Sequence, residues 1–241
     1  MNTNPESGRE KETTVPSTTT GPTTAPVSPT DVQNVKDILA GADTKAPELT
    51  RERLTNMQTL EIEIKGDFKP TLDALKTNTG ADLQPRTDGF HLTVIGPTES
   101  KILATLDDAT LAELQQINAQ IQRGEGVAVN GIGYIDGASS PYKMREVDKT
   151  KKTAFIALDI PALQAFRAKV GLPKKDFHVT LGFVGGDVHM QVTEQVPVKP
   201  GSPKMKDITA PIPKEADPRF NSIVLPTMTY GGLDGQMKEK K

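Results

Sequence analysis

The chain has 241 residues, 35% of them hydrophobic, and a formal net charge of −2. That length suits one sizeable domain with tails or two small ones, and the low apolar share implies that part of it lies outside a packed core. The charge offers no global field for duplex DNA or an anionic membrane, and the lack of cysteine excludes disulfides, thiolate nucleophiles and the common structural zinc sites. The opening residues, MNTNPESGREKETT, lack a basic stretch followed by an apolar run, so no secretory signal is read there. No apolar run approaches the roughly 20 residues of a membrane span. The expectation is a monomeric cytoplasmic protein that binds neither membrane nor duplex DNA.

In chain order, residues 1–45 read as a disordered segment rich in Thr, Ser, Pro and Gly, too polar to offset its ordering entropy. Within it a short helix is predicted over 31–40, capped by Thr30, with Val32, Val35 and Leu39 on one face and Gly41 as its stop. An ordered domain is predicted over 54–192. Leu60, Ile62 and Ile64 alternate with charged residues, as in a half-buried strand. A helix follows from about Pro70 to Thr79, ended by Gly80. Phe90 to Ile95 is a strand, Asp108 to Arg123 a helix with Leu111, Leu114, Ile117 and Ile121 as its apolar stripe, and Val127 to Ile135 a strand. Residues 136–153 form a polar loop. Ala154 to Ile160 is a strand, Pro161 opens a short helix closed by Gly171, and Phe177 to Val184 is a strand. Residues 193–241 read as a Pro- and Lys-rich tail, with one edge strand over 222–225 ended by Pro226.

The order strand, helix, strand occurs twice, at 58–95 and 154–184, and each copy ends in a strand carrying a histidine followed two residues later by threonine. This implies an internal duplication, hence two lobes related by an approximate twofold with the equivalent strands at one cleft. The segments are His91-Leu92-Thr93-Val94 and His178-Val179-Thr180-Leu181. Residues two apart on a strand share a face, so each histidine projects with its threonine while the apolar neighbours anchor the strand. A lone His-x-Thr on a strand is usually just a strand. Two of them, apolar-flanked, in a chain with three histidines, are hard to assign to coincidence.

Paired imidazoles suit phosphoryl transfer without a metal. One can deprotonate an attacking water or hydroxyl and the other can protonate the leaving oxygen, because histidine titrates near neutrality. Threonine hydroxyls can donate to non-bridging phosphate oxygens. Which histidine takes which role is open at this level.

The two motifs resemble the 2H phosphoesterase superfamily, also called LigT-like cyclic phosphodiesterases, which is defined by two H-x-T-x motifs with apolar x. Here they stand as HLTV and HVTL, and the resemblance covers about residues 58–185. The lysine-rich loop and the general look of the sequence suggest the subgroup called Swiss-army-knife RNA-repair-like proteins. The resemblance implies an α+β fold, bilobal, with duplicated strand-helix-strand units and antiparallel sheets around a central cleft, here flanked by disordered tails. It also implies metal-independent cleavage or ligation of 2′–5′ or 2′,3′-cyclic phosphate linkages in a nucleotide or RNA end, with no cofactor. On it His91 and His178 are carried over as catalytic, and Thr93 and Thr180 as phosphate-binding.

Other candidates are weaker. Tyr134 and Tyr142 flank the central loop and could stack on a base. His189 follows Gly185-Gly186 and reads as a solvated surface histidine. Lys143, Lys151, Lys152, Lys174 and Lys175 read as a solvated face. No carboxylate-histidine cluster has metal-ligand spacing. Two further readings stay open: degradation of a cyclic oligonucleotide signal, and a catalytically silent nucleotide- or RNA-binding module.

Overall fold

The computed structural model describes residues 49–238. The helix expected over 31–40 lies outside the described residues. Helix α1 (Arg51–Asn56) leads into β1 (Leu60–Lys65), whose sequence LEIEIK buries Leu60, Ile62 and Ile64 on one face. Helix α2 (Lys69–Thr79) ends at Gly80, which adopts φ 67° and returns its N–H to the Lys76 carbonyl. That left-handed position favours glycine. The short β2 (Gln84–Pro85) precedes β3 (Phe90–Ile95). A 3₁₀ turn, Pro97–Thr105, leads to helix α3 (Asp108–Gln122), capped by Asp107, whose side chain accepts from the Thr110 N–H at 2.8 Å. Then come β4 (Ala128–Asp136), β5 (Lys152–Asp159), helix α4 (Pro161–Lys169) and β6 (His178–Val184).

With a last strand, β9 (Thr229–Asp234), the strands form a seven-stranded sheet in the order β4-β5-β6-β3-β1-β9, with β2 also paired to β6; every pairing in it is antiparallel. The two strand-helix-strand units, β1-α2-β3 and β5-α4-β6, lie symmetrically about the sheet's midline. They meet through their motif strands at one residue pair, Leu92 with Val179. Further along β6, Gly182 and Phe183 pair with β2 instead. The fold is thus α+β with an open antiparallel sheet, and its two lobes are the halves of that sheet.

Leu92, Val94, Val179 and Leu181, all fully buried, share a core with Leu75 of α2, Leu111, Leu114 and Ile121 of α3, and Leu163 and Phe166 of α4. Arg167 of α4, 1% exposed, donates to the Val94 carbonyl at 2.7 Å and pairs with Glu99 at 2.6 Å. The helix of the second unit thereby holds the motif strand of the first. A smaller cluster of Ile135, Met144, Phe155, Ala157, Val188 and Ile212 covers the other face of β4 and β5.

The sequence-based tail is part of this body. β7 (Met190–Pro197) and β8 (Met205–Pro211) form a separate hairpin, and β9 (Thr229–Asp234) pairs with the outer edge of β1. The edge strand expected over 222–225 is not formed: Val224 is 84% exposed, and the returning strand lies a few residues later. The reason is compositional. The hairpin is mostly exposed on both faces, so it carries no apolar alternation. β9 reads TYGGLD, where two glycines hide the pattern and Leu233 alone is buried.

The segment after β8 crosses β4 closely. A Cβ on Gly133 would lie 2.2 Å from the Phe155 ring and 2.4 Å from the Glu215 carbonyl oxygen. Gly133→Ala is therefore expected to destabilise the fold by roughly 1–3 kcal/mol through overpacking, measurable as a lower urea midpoint with unchanged slope.

Candidate active site

Because Leu92 and Val179 are paired and both point into the helix-covered core, their neighbours project from the opposite face. One step along an antiparallel ladder sets His91 opposite Thr180 and Thr93 opposite His178. Diagonal neighbours in such a ladder lie about 7–8 Å apart, a span that one tetrahedral anion with a hydrogen bond at each end can bridge. The structure thus brings all four motif side chains together. The His91 side chain is 15% exposed, His178 is half-buried and Thr180 is 5% exposed.

His178 Nδ1 lies 2.9 Å from the Asp176 carbonyl oxygen. A carbonyl only accepts, so the neutral ring carries its proton on Nδ1 and leaves Nε2 as a free acceptor. Burial, then the nearby Lys214 ammonium, pushes the His178 imidazole down to about 3. The edge of its ring packs on Phe155, with centroids 5.7 Å apart. His91 differs: its Nδ1 is 3.8 Å from Glu61 Oε2. Burial lowers its pKa below 6.5, while the carboxylates of Glu61, Asp88 and Asp187 act against that shift.

Asp187, on the turn after β6, ties the site together. Its Oδ2 accepts from Thr180 Oγ1 at 3.0 Å, lies 3.1 Å from His189 Nε2 and sits 3.9 Å from Arg86. Its Oδ1 is buried without a hydrogen-bond partner. Burial opposes ionisation of Asp187, but hydrogen bonds from His189 and Thr180 and the charges of His189 and Lys214 outweigh it, holding the carboxyl well below the ordinary range. Arg86 is itself held by Asp88, through bonds of 2.9 and 2.6 Å.

His189 is half exposed, as a surface histidine would be, yet its ring stands 6.3 Å from that of His178 and is bound to Asp187. The Asp187 carboxylate thus bears on all three histidines, by contact with His189 and by its charge on His91 and His178. Sequence reasoning missed Asp187, Arg86, Glu61 and Lys214. The alternation Asp187-Val188-His189 directly after the second motif was the available signal. Lys151 and Lys152 are engaged with Asp148 at 2.7 Å and Asp136 at 3.1 Å. Lys175 lies 3.9 Å from Glu99.

The two tyrosines separate. Tyr134 pairs in register with Ala154, beside the Ile132–Ile156 pair, and so falls on the helix face with the main core, its ring edge-on to Phe220 at 5.9 Å. It is not brought to the histidine face, because strand alternation turns it away. Tyr142 packs on the other cluster, with Phe155. Both tyrosines border a cavity of about 700 Å³, also lined by Phe155, Arg219 and Phe220. Among the described residues, no three His, Asp or Glu side chains converge as metal ligands, and no helix is long and apolar enough to cross a membrane.

The family model described as "Swiss Army Knife, 2H phosphoesterase domain" matches residues 61–189, more than half of the chain. The chain belongs to this 2H phosphoesterase family. The match contains both His-x-Thr motifs, Asp187 and His189, and stops before β7, so the hairpin, Lys214 and β9 lie beyond the shared domain. No match was found among curated proteins or among solved structures.

Proposed function

We propose that this 2H phosphoesterase is a metal-independent phosphodiesterase that hydrolyses a 2′,3′-cyclic or 2′–5′ phosphodiester in a nucleotide or at an RNA end. The observation that carries the reading is the joining of the two motif strands at Leu92 and Val179, which sets two imidazoles on one open face. His178, neutral and with Nε2 free, acts as base. It takes a proton from water as the water oxygen bonds to phosphorus. His91, beside Glu61, acts as acid and gives its proton to the ribose oxygen as the P–O bond breaks. Thr93 donates to a non-bridging oxygen. The Thr180 proton is engaged by Asp187, so Thr180 serves the phosphate only by turning away from that carboxylate. Tyr142, which lines the cavity and packs on the cluster that contains Phe155, is the tyrosine we assign to stack on a base.

The test is incubation with 2′,3′-cyclic nucleotides, 2′–5′ dinucleotides and cyclic oligonucleotides in EDTA. Cleavage of the first or second class is expected; turnover only with added divalent metal would overturn the mechanism. A pH profile follows from the two imidazoles. His178 is neutral above about pH 3, while His91 must be protonated although its pKa is depressed below 6.5. kcat/KM is therefore expected to peak on the acid side of pH 6.5 and to fall about tenfold per unit above it. A kcat/KM optimum above pH 7 would contradict the assignment of His91 as acid.

A further inference from the structure

We propose that Lys214, supplied by the segment after β8 and beyond the shared domain, is a positioning residue of the site that acts on His178 through its charge across the shared Phe155 ring and through Asp176. The inference rests on the reading of His178 as base. The Lys214 residue is 6% exposed. Its Nζ donates to the Val188 carbonyl at 2.6 Å and stands 4.8 Å from the centre of the Phe155 ring, the same ring that packs on His178. Its backbone N–H lies 3.3 Å from Asp176 Oδ2, and the carbonyl of Asp176 is the group that fixes the His178 tautomer. Lys214 thus reaches His178 twice, through its main chain and through its charge.

Packing alone does not explain a cation here. The ammonium lies against Phe155 and the Val188 carbonyl, both from the second cluster, and an apolar side chain of similar volume would avoid the cost of burying an ammonium. Burial pushes Lys214 down to about 8, against the attraction of Asp187 and Asp176, so it remains largely protonated at neutral pH. The charged and titratable groups around His178 are Lys214 from this segment, Asp176 at the start of β6, Asp187 and His189 from the turn after it, and His91 on the paired strand. Asp187 pulls a proton toward the ring; Lys214 and His189 oppose it.

The test uses the full chain with labelled histidine. The chain has three histidines, so three imidazole signals can be assigned by single His→Gln variants and titrated by NMR. In Lys214→Met the His178 midpoint is expected to rise by about one pH unit or more, a tenfold gain in proton affinity. Lys214→Gln should give the same direction. A folded variant of either kind with an unchanged midpoint would overturn the proposal, as would loss of the folded circular dichroism spectrum in both, which would make Lys214 a structural residue. The titration needs no substrate. A shifted midpoint in a protein that cleaves nothing would therefore sink the hydrolase reading and leave the electrostatic one standing. In active enzyme the acid limb of the kcat/KM profile should move to higher pH in Lys214→Met, whereas mere loosening of the fold would lower its height alone.

Discussion

His178→Ala and His91→Ala are each expected to lower kcat by about 10²–10⁴-fold, the usual contribution of a positioned acid or base. His178 has its tautomer set by the Asp176 carbonyl and its Nε2 unengaged, so on the proposed mechanism removing it takes away the proton acceptor outright. His91 stands beside Glu61, and on the proposed mechanism its loss leaves the leaving oxygen to depart without a proton. The double variant should lose little more than the worse single one, because groups acting as a unit are not additive. Thr93→Ala should be milder, about 1.5–3 kcal/mol for one hydrogen bond to a charged group. Single-turnover rates on the best substrate of the panel, with folding checked by circular dichroism, decide this. Wild-type turnover in either histidine variant would end the two-imidazole mechanism.

The second large effect concerns stability. Asp187→Ala removes a carboxylate that is about nine-tenths buried and on which Thr180, His189 and Arg86 converge. Lys214 would also lose a counter-charge. Breaking one side of a buried charged network typically costs about 3–5 kcal/mol, so a marked drop in urea midpoint is expected at pH 7. The pH dependence has a definite sign. The folded carboxyl is held below its ordinary 3.8, so its contribution is complete above that pH and is lost as pH falls through the lower folded value. The gap between wild type and Asp187→Ala should therefore narrow only in strong acid. Equal midpoints at neutral pH would show that Asp187 is not the hub described.

Much of this architecture was readable from local pattern. LEIEIK and FHLTVI alternate because one face is buried, and both strands form where the alternation lies. The helix from Asp108 carries its apolar stripe and Gly124 directly after Arg123, and α3 ends at Gln122, one residue short of the expected Arg123, which caps it. Period and punctuation do not report which strands become neighbours. That His91 and His178 belong to hydrogen-bonded strands depends on β6 inserting beside β3, a choice made by the whole sheet. The residues that surround the histidines were hidden for the same reason. Glu61 and Arg86 look like ordinary surface charges until β1, β2 and β3 are assembled. Lys214 sits among prolines and lysines that resemble a tail, and its burial is created by Phe155 and Val188 from distant parts of the chain. Tyr134 and Tyr142 looked equivalent until the β4–β5 register turned Tyr134 to the helix side, while Tyr142, in the loop, packs on the second cluster.

The pairing of β9 with β1 has a consequence for the growing chain. Contacts that close this edge link residues far apart in sequence: the Gln236 N–H reaches Thr59 across 177 residues, and Lys238 reaches the Thr55 carbonyl across 183. Non-local closure of this kind slows folding. During synthesis β1 must wait beside β3 with its outer row of N–H and C=O groups unpaired, an invitation to join another chain's strand. The charges that alternate through β1, Glu61, Glu63 and Lys65, discourage such pairing while the edge is open. Trimming the chain before Thr229 would make that interval permanent, and the shortened protein should collect in the insoluble fraction even though both histidine motifs remain intact.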